Sequence, residues 1–490
     1  MTGEPSGPAA TRVAVVGGGV SGLAAAHRLR TLLGPDAEIV LIEASRRLGG
    51  ALRTVELGGL ALDVGAEAFL VRRPEASALV AELDLGAELT HPTPAAPTVR
   101  AGARTRPLPT RTVLGLPGTA DDVAGLLSGR GLARLAAEPS VPLHWVPGQD
   151  VAVGSLLRER AGDELVDRLV DPLLGGVYAG RADALGLRAT LPTVATALDR
   201  GAGSLLAAAA GALPPPVARH PARPPVFGTL RGGLGGLVDA LIGASAAEVR
   251  LRLPVRGLAR IPSGWRLELG SAARPEYLDA TAVLLAVPAP ALRRLLAGPL
   301  PAASAGAARI EVASSVVVGL ALPAAAARAV PGASGVLVAS GEPLSVKAFT
   351  FSGRKWAHAA SDEVMLVRGS LGRYGDAPML QRDDAELVEV VRADLAALTG
   401  VTAVPVATVV ARWGGGLPQY APGHLDAVAT VERAVAGSPG LAVAGAALHG
   451  VGVPACLGTA AAAAHRIAEY LGSVGRLAGP HTARGETMGS

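Results

Sequence analysis

Three glycines near the N-terminus have the spacing that binds the diphosphate of a dinucleotide. Gly17, Gly19 and Gly22 form a G-x-G-x-x-G motif that follows the apolar run 12–17. In this motif the first glycine permits a tight turn, the second lets the backbone approach a pyrophosphate, and the third lets a helix pack closely on a strand. Glu43 ends the next apolar run, where a carboxylate can accept hydrogen bonds from ribose hydroxyls. The pattern predicts a dinucleotide-binding site.

A second glycine pair follows the acidic residue. Arg47 precedes Gly49 and Gly50. A plain NAD fold needs no second close approach of the backbone at this point, so the pair favours FAD over NAD. Neighbouring residues complete this group of candidate cofactor contacts: Val20, Ser21, Ala44, Gly65 and Ala66.

A third glycine-rich segment lies near the C-terminus, between a predicted strand and a predicted helix. Backbone amides in such a loop, and the N-terminus of the helix, suit an anionic edge such as the N1–C2=O region of a reduced flavin. Cys456 opens the helix and has two interpretations, a small buried core residue, which we favour, or a covalent attachment point for the flavin. We expect cofactor contacts from Gly445, Gly450, Val451, Val453 and Pro454.

The elements that must position these residues alternate between strand and helix. Strand 12–17, helix 20–33 and strand 38–43 form a βαβ unit. Further strands are predicted at 248–253, 263–269, 282–287, 313–322, 345–351, 363–371, 404–412 and 441–444. Further helices are predicted at 119–138, 151–171, 234–243, 384–398 and 456–471.

This order predicts an α/β fold of two interleaved domains, a Rossmann-like FAD-binding domain and a substrate domain that is part helical and part mixed sheet. The FAD-binding domain is assigned to residues 1–75, 226–290 and 426–472. The substrate domain is assigned to a mostly helical segment, 76–225, that ends in an Ala/Pro-rich linker at 205–225, and to a mixed-sheet segment, 291–425. Residues 473–490 are predicted to be a flexible tail.

Composition excludes several classes of protein. One cysteine in 490 residues excludes a disulfide scaffold, a cysteine zinc site and an iron–sulfur cluster, and we expect no metal. A net charge of +4 with 3% aromatic residues argues against nucleic-acid binding. The uncharged stretches 201–218 and 434–465 are interrupted by glycine and proline, so no integral membrane span is expected. Without a targeting signal, the expected location is the cytoplasm.

Longer motifs resemble known families. The stretch 43–50 (EASRRLGG) resembles the amine oxidase-like flavoproteins. Four segments in the same order, covering nearly the whole chain, resemble the protoporphyrinogen/coproporphyrinogen oxidases: 171–180 (DPLLGGVYAG), 347–356 (KAFTFSGRKW), 412–420 (RWGGGLPQY) and 450–456 (GVGVPAC). The chain departs from the family pattern at Ala68, Gly353, Leu448 and His449, each of which could alter the rim of the pocket.

The resemblance implies a non-covalent FAD enzyme that oxidises a porphyrinogen to a porphyrin, with oxygen as acceptor and hydrogen peroxide as product. It implies that Arg47 helps to hold the phosphate and ribose region and that the Val255 backbone touches the adenine. It places Gly176, Val177 and Tyr178 beside the macrocycle. Hydride leaves a meso carbon for flavin N5, so positioning supplies most of the catalysis. The catalytic base is unknown; His449 is a weak candidate, and an ordinary loop histidine is the favoured interpretation.

The substrate follows from charge. Coproporphyrinogen III carries four propionates and is water-soluble, whereas protoporphyrinogen IX carries two and is handled at membranes. A chain whose basic residues are nearly all arginine suits the tetra-acid, because arginine binds carboxylates bidentately. The candidates, each of which could equally be a solvated surface charge, are Arg72, Arg73, Arg181, Arg354 and Lys355, and Arg73 and Lys355 are preferred.

Coproporphyrinogen III is therefore the favoured substrate, and protoporphyrinogen IX is the first alternative. The composition is typical of an actinobacterial genome, for which the resemblance implies a coproporphyrin-dependent haem route with a ferrochelatase as a possible partner. An amine oxidase is a second alternative, disfavoured by the few aromatic residues and two lysines. A non-catalytic protein of the same fold is a third, and a colourless purified protein would support it.

Overall fold

The structure is a computed structural model that describes residues 11–214 and 225–477. The predictions made for 1–10, 215–224 and 478–490 lie outside the described residues. The helices are α1 Val20–Leu33, α2 Pro74–Glu82, α3 Gly129–Ala137, α4 Val153–Ala161, α5 Asp163–Leu165, α6 Asp171–Tyr178, α7 Leu187–Thr190, α8 Pro192–Asp199, α9 Leu205–Ala212, α10 Gly235–Ser245, α11 Ala289–Leu296, α12 Pro301–Ala308, α13 Ser352–Lys355, α14 Ala377–Gln381, α15 Asp384–Thr399, α16 His424–Ala436 and α17 Val453–Leu477.

The strands contribute to one five-stranded sheet, one seven-stranded sheet and smaller sheets of two or three strands. They are β1 Arg12–Val16, β2 Glu38–Ile42, β3 Thr54–Leu57, β4 Leu60–Asp63, β5 Phe69–Leu70, β6 Leu89–Thr90, β7 Thr98–Ala101, β8 Arg104–Pro107, β9 Thr112–Val113, β10 Leu116–Pro117, β11 Phe227–Leu230, β12 Glu248–Arg250, β13 Val255–Ile261, β14 Gly264–Ser271, β15 Arg274–Ala280, β16 Ala282–Leu285, β17 Val312–Pro323, β18 Gly335–Val338, β19 Ala348–Phe351, β20 Val364–Leu371, β21 Ala407–Pro418 and β22 Leu441–Val443.

The five-stranded sheet is parallel and is assembled from distant parts of the chain. Its order is β12-β2-β1-β16-β22. Helices α1, α10 and α17 cover one face, and α11, α12 and α16 lie with the β13–β15 sheet on the other. Burial on both faces explains why β1, β2, β16 and β22 read as short apolar runs, whereas β12 is an edge strand that is mostly exposed. All five carboxyl ends lie at one edge, where open α/β sheets bind ligands.

The seven-stranded sheet has the order β21-β17-β20-β19-β18-β7-β8. All neighbouring pairs are antiparallel except β18 and β7. Helix α15 packs on one face through Leu387, Val391 and Leu395. The other face lies toward the helical cluster that includes α6, because Leu337 of β18 lies near Gly176. This sheet therefore supports the helix that carries the predicted substrate residues.

Hairpin β7–β8 corrects the prediction that residues 76–225 are mostly helical. The hairpin joins the edge of the seven-stranded sheet through β18. Its turn is Gly102–Ala103, and both residues have positive φ, as a two-residue hairpin turn of type I′ requires. Strand β8 is exposed along its length and rich in arginine, so it lacks the apolar alternation that indicates a strand.

Other boundaries also differ from the prediction, including the helix predicted at 151–171, which is interrupted at Gly162. The helix predicted at 119–138 is a 3₁₀ turn at 120–123 followed by α3, because Ser128 accepts a hydrogen bond from Gly131 N–H and so starts a new helix. The linker predicted at 205–225 begins with α9, which Ser204 caps through Ala207 N–H. The tail predicted from 473 begins inside α17, which continues to Leu477. The other domain limits remain predictions.

Candidate active site

An elongated cavity lies at the carboxyl edge of the five-stranded sheet. Val16 and Ile42 end their strands at its wall, and Gly17 and Glu43 follow them. Helix α1 begins beside the cavity at Val20, and its first turn contains no acidic residue. The unpaired amides and positive end of the helix dipole therefore face the cavity without a competing carboxylate of that turn.

Each of the three glycines of the G-x-G-x-x-G motif is required for a different geometric reason. Gly17 has φ of +105°, and a Cβ there would lie 2.3 Å from Ala286 O. A Cβ on Gly22 would lie 1.8 Å from Gly17 O, so only glycine lets α1 pack this closely on the turn after β1. Gly19 is different, because the nearest protein atom to its added Cβ is 3.9 Å away and the residue lines the cavity. Open space at Gly19 fits a diphosphate against the backbone.

The second glycine pair, Gly49 and Gly50, lies directly against the backbone of Gly18 and Gly19. Gly49 N–H donates to Gly18 O at 2.8 Å, and Gly49 and Gly19 form a parallel bridge. Both Gly49 and Gly50 have positive φ, and a Cβ on Gly50 would lie 2.9 Å from the Gly19 Cα. Two backbone segments therefore approach each other at a distance that side chains would prevent.

Glu43 and Arg47 fix the turn between these glycines. Glu43 accepts hydrogen bonds from Gly18 N–H and from Ser45 N–H, each at 2.7 Å, and the residue lines the cavity. A carboxylate has further acceptor sites, so it can also bind ribose hydroxyls. Arg47 donates to Gly50 O at 2.7 Å and lies 5.6 Å from the centre of the Trp413 ring. Burial lowers the pKa of Arg47, with Arg53 nearby as a second cause.

The glycine-rich segment before α17, residues 445–452, forms a loop at the other end of the cavity, and we call it the cofactor loop. Gly445, Ala446, Ala447 and Val451 line the cavity, together with Val453 and Cys456 at the start of α17. Cys456 is buried, and burial raises the pKa of its thiol to about 11. The thiol is therefore protonated at neutral pH and is a poor nucleophile for attachment to a flavin.

The cavity contains residues that the sequence did not assign to it. Residues Gly415–Pro418 of β21 form one wall. A bulge in β21 sets three residues, 414–416, opposite Ser314 of β17, and the Ser314 hydroxyl accepts a hydrogen bond from Gly415 N–H. Arg294 of α11 lines the cavity and donates to Val255 O at 3.1 Å. The remaining unassigned wall residues are Ala51, Leu52, Leu253, Pro254, Ala286, Val287, Pro288, Ala289, Ala291, Leu295 and Val312. The sequence Ala-Val-Pro directly after β16 could have indicated part of this wall, because the segment that follows a parallel strand lies at the sheet edge where ligands bind.

The structure divides the predicted cofactor residues into two groups. The group that lines the cavity is Gly17, Gly19, Val20, Ser21, Glu43, Ala44, Gly50, Ala66, Val255, Gly445, Val451 and Val453. The group that lies behind or beside its wall is Gly22, Arg47, Gly49, Gly65, Gly450 and Pro454. A Cβ on Gly65 would lie 1.9 Å from Ala51 O, so this glycine permits packing between backbone segments.

The predicted macrocycle wall is the C-terminal turn of α6. Gly176 and Val177 are exposed, whereas Tyr178 is buried. Burial raises the pKa of Tyr178 to about 12, so its hydroxyl is protonated at neutral pH. Asp171, at the start of α6, accepts hydrogen bonds from Arg373, Ser340 and Ala182 N–H and ties the helix to the seven-stranded sheet.

The predicted charged contacts have different environments. Lys355 and Arg368 both pair with Glu67. Burial alone would raise the pKa of Glu67, but the two cations lower it to about 2. Arg73 is exposed and pairs with Glu75, while Arg72 and Arg181 are exposed without an ion pair to the described residues. Arg354 donates to Ala327 O.

His449 pairs with Glu432 at 2.6 Å on the surface. It is not among the described residues that line the cavity. Its position favours the ordinary loop histidine over a catalytic role.

Comparison with known proteins identifies the family. A family model described as flavin containing amine oxidoreductase matches residues 20–468. The chain belongs to this family of flavoenzymes. A coproporphyrinogen III oxidase of Mycobacterium tuberculosis is 46% identical over 93% of this chain and 97% of that protein. A coproporphyrinogen III oxidase of Bacillus subtilis is 30% identical over 94% and 98%.

The solved structures agree with the family. A structure from Exiguobacterium sp. 255-15, named for protoporphyrinogen oxidase, has a TM-score of 0.81 and 30% identity and covers 94% of this flavoenzyme and 100% of that chain. The predicted amine oxidase-like α/β flavoprotein fold is confirmed. The predicted cofactor, FAD, and the assignment as an oxidoreductase are confirmed as well.

The cavity of this flavoenzyme fits FAD on geometric grounds. The glycines around Gly19 leave backbone exposed where a diphosphate would lie, with Glu43 at the ribose end and the cofactor loop at the other. Across residues 11–214 and 225–477, the structure contains no cluster of metal-ligating side chains. In the same ranges, every helix is too short or too polar to cross a membrane.

Proposed function

We propose that this flavoenzyme oxidises coproporphyrinogen III to coproporphyrin III in haem biosynthesis, with oxygen as the electron acceptor and hydrogen peroxide as the product. The observation that carries the proposal is the 46% identity to the mycobacterial coproporphyrinogen III oxidase over nearly the full length of both chains. The exposed Gly176–Val177 turn and the glycine-lined cavity provide a wall for the macrocycle and a site for the cofactor.

Each turnover removes two electrons and two protons, so three turnovers convert the porphyrinogen to the porphyrin and reduce three oxygen molecules to peroxide. FAD supplies the hydride acceptor and the reaction with oxygen when it is bound. The chain supplies position, because a meso C–H must face the acceptor atom. Among the described residues, the cavity walls carry one acidic and one basic side chain, Glu43 and Arg294, and hydride transfer from the meso carbon requires no base at that C–H bond.

The cavity argues against the amine oxidase alternative. An amine oxidase of this fold is expected to have an aromatic cage and a lysine near the flavin. None of the described residues that line the cavity is aromatic or lysine. Lys355 pairs with Glu67, and Lys347 donates to Gly372 O at 2.8 Å. The described cavity lining and the two lysines therefore give no support to the amine oxidase alternative.

We further propose that exposed arginines near α6 bind the propionates. Arg181 follows the macrocycle wall by three residues, is exposed and has no ion pair to the described residues, so its guanidinium is available for a carboxylate. Arg73 and Lys355 are weaker candidates, because Arg73 already pairs with Glu75 and Lys355 already shares Glu67 with Arg368. The proposed location is the cytoplasm, where a ferrochelatase could take the product.

The test is aerobic turnover of the purified flavoenzyme with coproporphyrinogen III and protoporphyrinogen IX in parallel, followed by porphyrin fluorescence and peroxide. We expect a clear preference in kcat/KM for coproporphyrinogen III. Arg181→Gln should raise KM for the tetra-acid several-fold with little change in kcat, whereas Arg274→Gln, an exposed arginine of β15, serves as the matched control. Preference for protoporphyrinogen IX, or no turnover by the yellow protein, would refute the proposal.

A further inference from the structure

Three aromatic rings form a continuous cluster, which we call the ring stack, that extends from the macrocycle wall to the cofactor loop. The ring centres of Tyr178 and Tyr420 are 5.4 Å apart with the planes tilted by 50°. The rings of Tyr420 and His424 are 3.8 Å apart and nearly parallel, at 17°. All three residues are buried. Close stacking of this kind fixes the rings and, with them, the direction of their polar atoms.

Two members of the stack donate hydrogen bonds to the cofactor loop. The Tyr420 hydroxyl donates to Ala446 O at 2.6 Å. His424 Nε2 lies 2.9 Å from Leu448 O, and because a carbonyl only accepts, Nε2 carries the proton. Ala446 and its neighbour Ala447 line the cavity. The two donors therefore hold carbonyls of the loop that forms the cavity wall.

Burial keeps both donors in the neutral state. It raises the pKa of the Tyr420 hydroxyl and lowers the pKa of His424. The hydroxyl therefore stays protonated at neutral pH, and the imidazole stays uncharged. The two hydrogen bonds do not depend on a change of charge.

The cofactor loop needs support from outside. Gly445 has φ of +121° and Gly450 has φ of +145°, and glycine reaches such angles without fixing them. Inside the loop, Leu448 N–H donates to Gly445 O, and at its start Gly445 N–H donates to Thr459. The carbonyls of Ala446 and Leu448 are held instead by Tyr420 and His424.

The segment that carries these residues, 417–424, is itself anchored on several sides. Gly186 N–H donates to Tyr420 O at 2.6 Å, and Gly423 N–H donates to Asp150 at 2.9 Å. Gln419 Nε2 donates to Tyr178 O at 2.8 Å. Leu417 and Pro418 line the cavity. The segment is thus a fixed support rather than a free loop.

We propose that Tyr420 and His424 are positioning residues, which hold the cofactor loop through the Ala446 and Leu448 carbonyls and thereby set how its amides face the flavin. The inference rests on the proposed function in so far as it requires FAD in the cavity. When Tyr420 loses its hydroxyl, the loop gains freedom and its dipoles are less well aligned with the negative charge that the ring system carries after reduction. The midpoint potential of the bound flavin then becomes more negative, and FAD binds more weakly.

The central variant is Tyr420→Phe, which keeps the ring and removes the bond to Ala446 O. Its matched control is Ser245→Ala, which removes a buried hydroxyl that donates to Ile242 O at 3.0 Å in α10, away from the cavity wall. The measurements are the FAD dissociation constant of the apoprotein and the midpoint potential of the bound flavin. We expect a dissociation constant about tenfold higher for Tyr420→Phe, equivalent to about 1.4 kcal/mol, and no change for Ser245→Ala.

A second pair of variants covers the histidine. His424→Leu removes the donor, whereas His424→Gln keeps a donor of similar reach, so the glutamine variant should recover most of the wild-type potential. Wild-type binding and potential in Tyr420→Phe, an equal change in Ser245→Ala, or no rescue by His424→Gln would overturn the inference. If the wild-type protein binds no FAD, the proposed function fails instead, so the two failures are distinguishable.

Discussion

Gly19 and Gly22 belong to one motif, yet the structure predicts different effects when alanine replaces each of them: weaker FAD binding at Gly19 and lower stability of the apoprotein at Gly22. Gly19 has φ of −71°, which alanine adopts without strain, and its added Cβ would be 3.9 Å from the nearest protein atom. Gly19→Ala should therefore leave the thermal unfolding midpoint of the apoprotein unchanged. Its new methyl group occupies the space assigned to the diphosphate. An overpacked contact costs about 1–3 kcal/mol, so FAD should bind roughly 5- to 150-fold more weakly.

Gly22→Ala acts on the protein itself. Its Cβ would lie 1.8 Å from Gly17 O, a backbone atom that cannot turn aside. Helix α1 must then move away from β1, and the midpoint of the apoprotein should fall by roughly 2–10 °C. The assays are FAD titration by fluorescence quenching and thermal unfolding without FAD. If Gly19→Ala binds FAD as tightly as the wild type, the diphosphate does not lie against this backbone and the cavity assignment is wrong.

Three further predictions follow from buried charges and from the thiol. Glu138→Gln should destabilise the protein by about 3–5 kcal/mol in urea unfolding, because it leaves the buried Arg160 without its anionic partner; Arg266→Gln, which breaks an exposed pair with Asp279, is the control, and equal effects would contradict the argument. Burial, with Arg373 nearby, lowers the pKa of Lys347 to about 8, so the unfolded chain binds more protons than the native state between about pH 8 and 10.5, and stability rises with pH there. Lys347→Met should therefore be more stable than the wild type at pH 7, by an advantage that shrinks toward pH 10.5, and a constant difference in urea midpoint would refute this explanation. Cys456 should resist a thiol reagent at pH 8 until the protein unfolds, and rapid labelling of the native thiol would show that it is not protected. Cys456→Ala should still bind FAD, and acid precipitation should release that FAD, because the cofactor is not attached to the thiol.

Local patterns accounted for the predictions that agreed with the structure. Helix α1 has the predicted bounds, and α15 differs by one residue, because each ends at a glycine with positive φ, Gly34 and Gly400. The glycine motif, Glu43 and the second glycine pair lie close in sequence, and they meet at one cavity wall because a βαβ unit brings them together. Hairpin β7–β8 was missed because an exposed edge strand carries no apolar signal.

The site residues that were missed depend on contacts between distant segments. Arg294 and Gly415–Pro418 reach the cavity only through the order of strands in the two sheets, which no short motif encodes. The pairing of Lys355 with Glu67 joins residues 288 positions apart, and it gives this cation an ion-pair partner that the sequence did not indicate. His449, a loop residue, likewise has its side-chain partner on a different element, Glu432 of helix α16.

The sequence by itself determined the class of cofactor, the βαβ unit that binds it and the family, because these depend on residue types at short, fixed spacing. Only the tertiary structure decided which cations remain free for a substrate, which walls close the cavity and which side chains hold the cofactor loop. Tyr420 and His424 show the reason. Their hydrogen bonds to Ala446 and Leu448 form only when the intervening helix α16 and strand β22 have taken their places in the fold. Burial and pairing are properties of neighbours in space, and a linear sequence does not specify those neighbours until the sheets have formed.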